Sequence, residues 1–476
     1  MRGILLAVLV MSSLFSFSQQ TKKVWTLREL VDYAVSSNLT VKRGNYGVRT
    51  GEINYLQSKM AMLPSVNANG NYGFNWGRNI DPTTNLFVEQ RINSINANIS
   101  SSLLLWNGFR LFYSMKQNEV ELEAINQDLI KARNDVILNV ITLYLTVVFN
   151  KELYANAEYQ LNSTSEQLER TKKLVEAGSL PKSDALNLEA QHATNELNLI
   201  QRENALNLSF LQLKQALQLP ASTEMDVELL NVDLNDPNIN KSADEIFEIA
   251  VLSMPEIQAA RLRQRSSAFA LKSTRGNYYP RLTLSGSLST LYSSARQEAI
   301  LEGSAVIPRE IGYLQSNPAE LVFTDVEVNQ FSFQTVGYED QFRNNLGKGL
   351  GFNLQIPIFN GLQTRSAVQR AAINRELADI TLLENENRLR QSVETAYNDA
   401  LAASKTYQSA QKQVSARDEA FRMTKQRFEL GAVNFVEYQV AENDLFQAQS
   451  DLLRAKYDFI FKKKILDFYQ GLPLEF

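Results

Sequence analysis

The chain contains one unit twice, and this duplication constrains its fold more than any other feature. Trp106-Asn107-Gly108 returns as Phe359-Asn360-Gly361, an offset of 253 residues. Val140 and Tyr144 return as Val393 and Tyr397, Glu176-Ala177-Gly178 as Glu429-Leu430-Gly431, and Leu219-Pro220 as Leu472-Pro473, all at the same spacing. Upstream the offset is 216: Glu29-Leu30 matches Glu245-Ile246, and Pro64 matches Pro280. The two offsets place 37 additional residues between Pro280 and Phe359 of the second copy. The ladder predicts repeats over 19–242 and 243–476 with one shared order. Helical sequence leads to a proline, then come a strand hairpin, a very long helix, a glycine turn and a shorter helix.

Breaker positions set the helices. Residues 109–177 and 362–430 each run for 69 residues without glycine or proline, and 182–218 and 435–470 are also free of both. At 1.5 Å per residue, each long interval could reach about 100 Å. Tyr154, Leu161, Leu168 and Val175 recur every seven residues, with Ala157, Thr164 and Thr171 between them. Copy two carries Tyr407, Val414, Phe421 and Phe428, with Ala410, Arg417 and Thr424. Such a stripe is a seam for a neighbouring helix, in a coiled coil or in an ordinary bundle, and the length favours an elongated assembly. Pro255 suits a first helical turn, so a helix should run from there to about Tyr279. In copy one Gly44, Gly47 and Gly51 weaken the equivalent helix between Leu39 and Leu63, where a bend or fraying is expected.

The segments after the prolines alternate with a period of two. Val66, Ala68, Tyr72, Phe74 and Trp76 alternate with asparagines. Ile95, Ala97, Ile99, Leu103 and Leu105 alternate with Asn96, Asn98, Ser100 and Ser102. In copy two Leu282, Leu284, Leu288 and Tyr292 alternate with Arg281, Thr283 and serines, and Leu350, Phe352, Leu354, Ile356 and Ile358 with Gly351, Asn353 and Gln355. Four strands are expected, about 65–76, 94–106, 281–292 and 345–358. One apolar and one Asn/Ser-rich face fit transmembrane barrel strands, although a soluble sheet against helices gives the same pattern. Four strands cannot close a barrel, and open sheet edges are not tolerated in hydrocarbon. If the strands span a membrane, several chains must share one barrel. Three chains give twelve strands, whereas two give a narrow eight-stranded barrel with little lumen. The copy-two tip, 293–343, holds eight acids against three arginines and reads as an exposed loop.

Composition narrows the chemistry. There is no cysteine, which excludes disulfides, thiolate metal sites, cysteine catalysis and lipid anchoring through cysteine. His192 is the single histidine, with no second histidine or cysteine to join it, so it reads as a surface or seam residue. A net charge of −4 is too balanced for a nucleic-acid binder that relies on a basic surface. Arg2, the apolar run Ile4 to Val10 and Ser16-Phe17-Ser18 predict a signal peptide over 1–18. No later run has the roughly 18 apolar residues a spanning helix needs; Val136 to Phe149 comes nearest. No catalytic constellation is visible, so the chain is read as not an enzyme and without a cofactor.

Together these residues resemble the TolC family of outer-membrane efflux and secretion channels. The marks are the duplicated strand-hairpin-helix unit, the Phe/Trp-Asn-Gly step, Met254-Pro255-Glu256-Ile257, and the glycine turns followed six residues later by Asp or Glu. The resemblance implies an α+β membrane protein: a homotrimer with a twelve-stranded outer-membrane β-barrel continued by a periplasmic α-helical barrel. It implies docking to a periplasmic adaptor (a membrane fusion protein) and an inner-membrane pump of RND, ABC or MFS type. The function implied is a passive exit duct of a tripartite efflux or type I secretion system. A peripheral extracytoplasmic coiled-coil scaffold explains the helices and signal peptide but not the strands.

In that family the glycine turns form the periplasmic tip, where the channel constricts and meets the adaptor. Here they are Gly178, Ser179 and Leu180, and Gly431, Ala432 and Val433. The resemblance places Asp184 and Glu437 as candidate carboxylates at the pore mouth. Both also fit first-turn positions favoured by the helix dipole, and Asn434 to Glu437 fits an N-cap with an acid three residues on. Phe428 keeps the family's aromatic one turn before the glycine. Val433 replaces the basic residue of a Tyr-Arg gate latch found in some members, and Val440 stands where others carry a second acidic ring.

Overall fold

The structure is a computed structural model describing residues 23–82, 84–89, 91–229 and 239–472. The expected signal peptide over 1–18 lies outside them. The first half contains β1 (Lys23–Trp25), α1 (Leu27–Ser37), α2 (Leu39–Met60), β2 (Ser65–Asn75), β3 (Arg78–Ile80), β4 (Phe87–Glu89), β5 (Ile92–Trp106), α3 (Arg110–Glu176), α4 (Lys182–Ala216) and β6 (Met225–Val227). The second contains α5 (Ala243–Ser253), α6 (Pro255–Arg275), β7 (Arg281–Ser293), β8 (Gln297–Leu314), β9 (Asn317–Thr335), α7 (Tyr338–Asn344), β10 (Gly347–Gln355), α8 (Gln363–Glu429) and α9 (Phe435–Tyr469). The chain divides into a helical unit and a strand-rich unit, each drawing on both halves of the sequence.

In the helical unit the duplication is visible in caps and cores. Thr26 caps α1 in a reciprocal box with Glu29, and Ser242 caps α5 with Glu245, the same pair 216 residues on. Each box satisfies two backbone donors that the first turn would otherwise leave unpaired. The first core packs Leu30 and Ala34 of α1 against Val136 and Val140 of α3 and Leu213 of α4. The second packs Ile246, Ala250, Leu389, Val393 and Leu466, each at the 216 or 253 offset from its counterpart. The apolar stretch of α3 around Val136–Val148 is thus core, buried against α1, α4, α9 and the small parallel pair β1–β6. Tyr144 fixes that pair by donating to the Glu228 carbonyl at 2.7 Å.

The expected fraying at the copy-one glycines does not occur: α2 is unbroken through Gly44, Gly47 and Gly51. These glycines face α3. A Cβ on Gly44 would lie 2.9 Å from the Leu129 side chain, and one on Gly51 would lie 3.1 and 3.2 Å from Leu122 and Ile125. The glycines lower intrinsic helicity but let α2 approach α3 closely, and packing outweighs propensity. The seam stripe of α3 buries its small residues Ala157, Thr164 and Thr171, while the larger residues between them are only half-buried.

In the strand-rich unit, β10, β7, β5 and β2 form one antiparallel sheet in that order, with β2 and β10 at its edges. Ala68 pairs with Ile99, Ile99 with Leu288, and Leu103 with Leu284, which in turn faces Phe352. Most apolar residues of the four strands therefore share one face; Ile92, Leu104 and Leu291 are exceptions. The other face aligns Ser285, Ser287 and Ser289 with Gly351, Gly349 and Gly347. The copy-two tip, expected as a loop, instead forms a long ribbon from β8 and β9. Gln341 of α7 anchors its base: its amide donates to the Ser293 and Val336 carbonyls and its oxygen accepts from the Ser293 amide, all at 2.9 Å.

Each long helix starts from the same turn. Gly108 and Phe109 both have positive φ (64° and 61°), and so do Gly361 and Leu362 (59° and 63°). The two glycines differ in their surroundings. A Cβ on Gly108 would lie 2.7 Å from both the Gly276 carbonyl oxygen and Tyr279 Cβ, whereas nothing lies within 4 Å at Gly361. Gly361→Ala should therefore cost only the conformational term, about 1–2 kcal/mol. Gly108→Ala should add a steric term of about 1–3 kcal/mol. Thermal melts of the detergent-solubilised variants check this, and equal melting temperatures would contradict it.

Candidate functional site

Both helix reversals end in the same hydrogen-bonded motif. The Ser179 amide donates to the Leu174 carbonyl at 2.8 Å and the Gly178 amide to Val175 at 3.0 Å. The Ala432 amide donates to Arg427 at 2.8 Å and the Gly431 amide to Phe428 at 2.9 Å. This is a Schellman cap, which needs a left-handed residue; Gly178 and Gly431 supply it with φ of 75° and 71°. Gly178, Ser179, Gly431 and Ala432 are exposed, while Leu180 and Val433 are half-buried at equivalent positions.

The two acids differ in detail. Glu437 is exposed in the first turn of α9, where its amide donates to the Asn434 side chain at 2.9 Å. Its carboxylate makes no ion pair among the described residues. Asp184 is half-buried in the first turn of α4, which starts after Pro181 without a side-chain cap, and accepts from the Ser183 hydroxyl at 3.3 Å. No hydrogen bond or ion pair joins Asp184 to Glu437 among the described residues. Phe428 packs against Tyr438 (ring centroids 4.9 Å apart) and Phe435 (6.1 Å). Phe421 joins the same cluster, so these rings clamp α8 onto α9 just behind the turn.

A further arrangement connects α9 to α3. Glu442 is 7% exposed. Its carboxylate accepts from the Gln167 amide at 2.9 and 3.2 Å and from the Ser163 hydroxyl at 3.1 Å. Gln167 also donates to the Tyr438 hydroxyl at 3.0 Å. Gln439 donates to Gln191 of α4 at 2.9 Å, and Asn156 to Ser450 at 3.1 Å, extending the polar contact along the helices. Burial holds the Glu442 carboxyl above its ordinary range, although the donors from Ser163 and Gln167 and the charge of Lys425 act the other way. Burial also raises the Tyr438 phenol. This lock escaped sequence reasoning. Its one trace is an acid within the stripe Tyr438, Glu442, Leu445 and Ala448, whose members are spaced by three or four residues and all buried. The lock belongs to one hairpin only: the copy-one counterpart, Glu189, is exposed.

An acid whose folded pKa is raised holds its proton more tightly when folded. Its contribution to stability is therefore greatest below the unfolded value near 4.5 and declines as pH rises through the folded value. Glu442→Gln keeps the shape and an acceptor but removes the titration. Its melting temperature relative to the parent should rise progressively between pH 4 and pH 8. A difference that is flat or falls with pH would contradict this.

The family model for outer membrane efflux proteins matches residues 30–218 and 247–461. The outer membrane efflux protein BepC of Brucella suis is 20% identical over 440 residues, covering 91% of this chain and 83% of that protein. The outer membrane protein TolC of Vibrio cholerae is 22% identical over 414 residues, covering 85% and 81%. The crystal structure of CusC superposes with a TM-score of 0.74 at 14% identity, covering 96% of both chains. The chain is thus placed in the outer membrane, with a long helical periplasmic portion. With the family model matching over most of its length, the chain belongs to the outer membrane efflux protein family, a family of channels.

Proposed function

We propose that three copies close one twelve-stranded barrel, and that the assembly is the outer-membrane exit duct of a tripartite efflux or type I secretion system. The observation that carries this reading is the open four-stranded sheet, apolar on one face and polar on the other, with β2 and β10 left as edges. Within a bilayer both edges must find backbone partners, and identical copies supply them in register. The Ser/Gly/Asn face then lines a hydrated lumen, and the apolar face meets lipid. Tyr72 and Phe74 sit at the end of that face away from the helices, with Trp76 just beyond β2, as interfacial aromatics of a barrel do. A peripheral scaffold would leave this apolar sheet face without a function.

Both repeats, 19–242 and 243–476, contribute strands to the β-barrel and helices to a periplasmic α-barrel. In the trimer the exposed turns at Gly178–Leu180 and Gly431–Val433 become six, and they form the docking surface for a periplasmic adaptor. An inner-membrane pump of RND, ABC or MFS type supplies the energy, so the duct needs no catalytic group. Glu437, exposed and without an ion pair among the described residues, rings the pore mouth and draws cations, with Asp184 of the α3–α4 hairpin as a weaker contributor. The Glu442–Gln167–Ser163 lock, with the Phe428 cluster, holds the α8–α9 hairpin against α3 and keeps the constriction narrow.

Planar-bilayer recording tests the reading. The purified protein should form discrete, cation-preferring channels. Glu437→Ala should lower the cation preference several-fold, and Asp184→Ala should lower it less. Absence of channels from the parent protein would overturn the duct. Unchanged selectivity in Glu437→Ala would reduce Glu437 to a first-turn acid.

A further inference from the structure

The four strands of the sheet carry only two charged side chains, Arg281 and Lys348. Arg281 stands at the helix-linked end of β7 and donates to Gln355 at 2.8 Å. Lys348 is different. It is exposed, and it lies on the apolar face of β10, two residues before Leu350 and two after Leu346, which precedes the strand. It pairs with Leu288, in a row that continues through Ile99 to Ala68. No acid pairs with it among the described residues. An uncompensated ammonium facing hydrocarbon is unfavourable, increasingly so toward the bilayer centre.

We propose that Lys348 seats a phosphate of an anionic lipid of the outer leaflet. The inference rests on the proposal that these strands cross the outer membrane with their helix-linked ends in the periplasm. Lys348 lies six residues along the strand from Leu354, which pairs with Leu282 near the helix-linked end. At roughly 3.3 Å per residue and a strand tilt of about 40°, that is about 15 Å up an apolar band about 25 Å tall. Lys348 is therefore in the outer half. Two side chains further along the same face of β7 is Tyr292, which pairs with Ile95, itself paired with Tyr72 of the outer aromatic group. The lysine stem lies along Leu346 and Leu350 while its ammonium reaches outward toward the headgroups. A phosphate there meets a compact cation, and the acyl chains below it meet Leu288, Leu350 and Ile99.

A lysine on an edge strand also discourages unwanted pairing before assembly. That role predicts no preference among lipids, so lipid binding separates the two. Purified protein in mild detergent is titrated with lipid A bearing both phosphates, or with the same lipid stripped of phosphate, and bound lipids are counted by native mass spectrometry. The parent should favour the phosphorylated lipid at least fivefold. Lys348→Leu and Lys348→Gln should lose that preference, and Lys348→Arg should keep it. A parent without preference, or a Lys348→Leu protein that retains it, overturns the proposal. The same spectrum reads the mass of the assembly. A failure of the multi-chain barrel is therefore distinguishable from a failure of the lipid site.

Discussion

Backbone amides and carbonyls at a sheet edge must be paired once they enter hydrocarbon, since no water is there to receive them. This chain carries four well-patterned strands and leaves two of them, β2 and β10, as edges. The apolar face argues that the sheet belongs in lipid, and the strand count argues that it cannot be there alone. The rest of the molecule follows from that pair of facts. The strands are fixed to helices by turns with two consecutive left-handed residues, which occur at Gly108–Phe109 and again at Gly361–Leu362. The same turn in each copy launches a 67-residue helix, so both hairpins deliver a long helix of equal length.

Duplication gives the molecule its framework, and departures from it give the molecule its asymmetry. The capping boxes and the two cores are near-copies. The buried carboxylate Glu442 and the aromatic cluster around Tyr438 have no equivalent at Glu189 and Ala185. One hairpin is thereby tied to α3 through side chains that need desolvated, well-placed donors, whereas the other lacks that buried carboxylate. A constriction that opens by loosening one hairpin of each chain would use such an inequality.

Much of this was legible in the sequence, for physical reasons that differ by element. The long helices follow from the absence of Gly and Pro, and the reversals from a glycine at each break. The sheet faces follow from strict alternation, which only a strand converts into two sides. The α2 glycines were misread because glycine weakens a helix and permits close approach with the same atom, and only the facing Leu122 and Leu129 decide between the two. The β8–β9 ribbon was read as a loop because both its faces are exposed, so it has no one-sided pattern to detect. The Glu442 lock joins residues about 275 positions apart, a proximity created by folding. Lys348 stands two residues before Leu350, in phase with the apolar face of β10, and acquires meaning only once its row partners are known.

The central claim is that β2 of one copy pairs with β10 of another. The natural chain has no cysteine, so introduced pairs report without background. Leu350→Cys, combined in turn with cysteines at Val66, Ala68, Gly70 or Tyr72 on the same face, should give one register with efficient disulfide formation. On a denaturing gel that register should yield a ladder ending at three chains. A scan producing only uncrosslinked monomer, or a ladder continuing past three, would contradict the account.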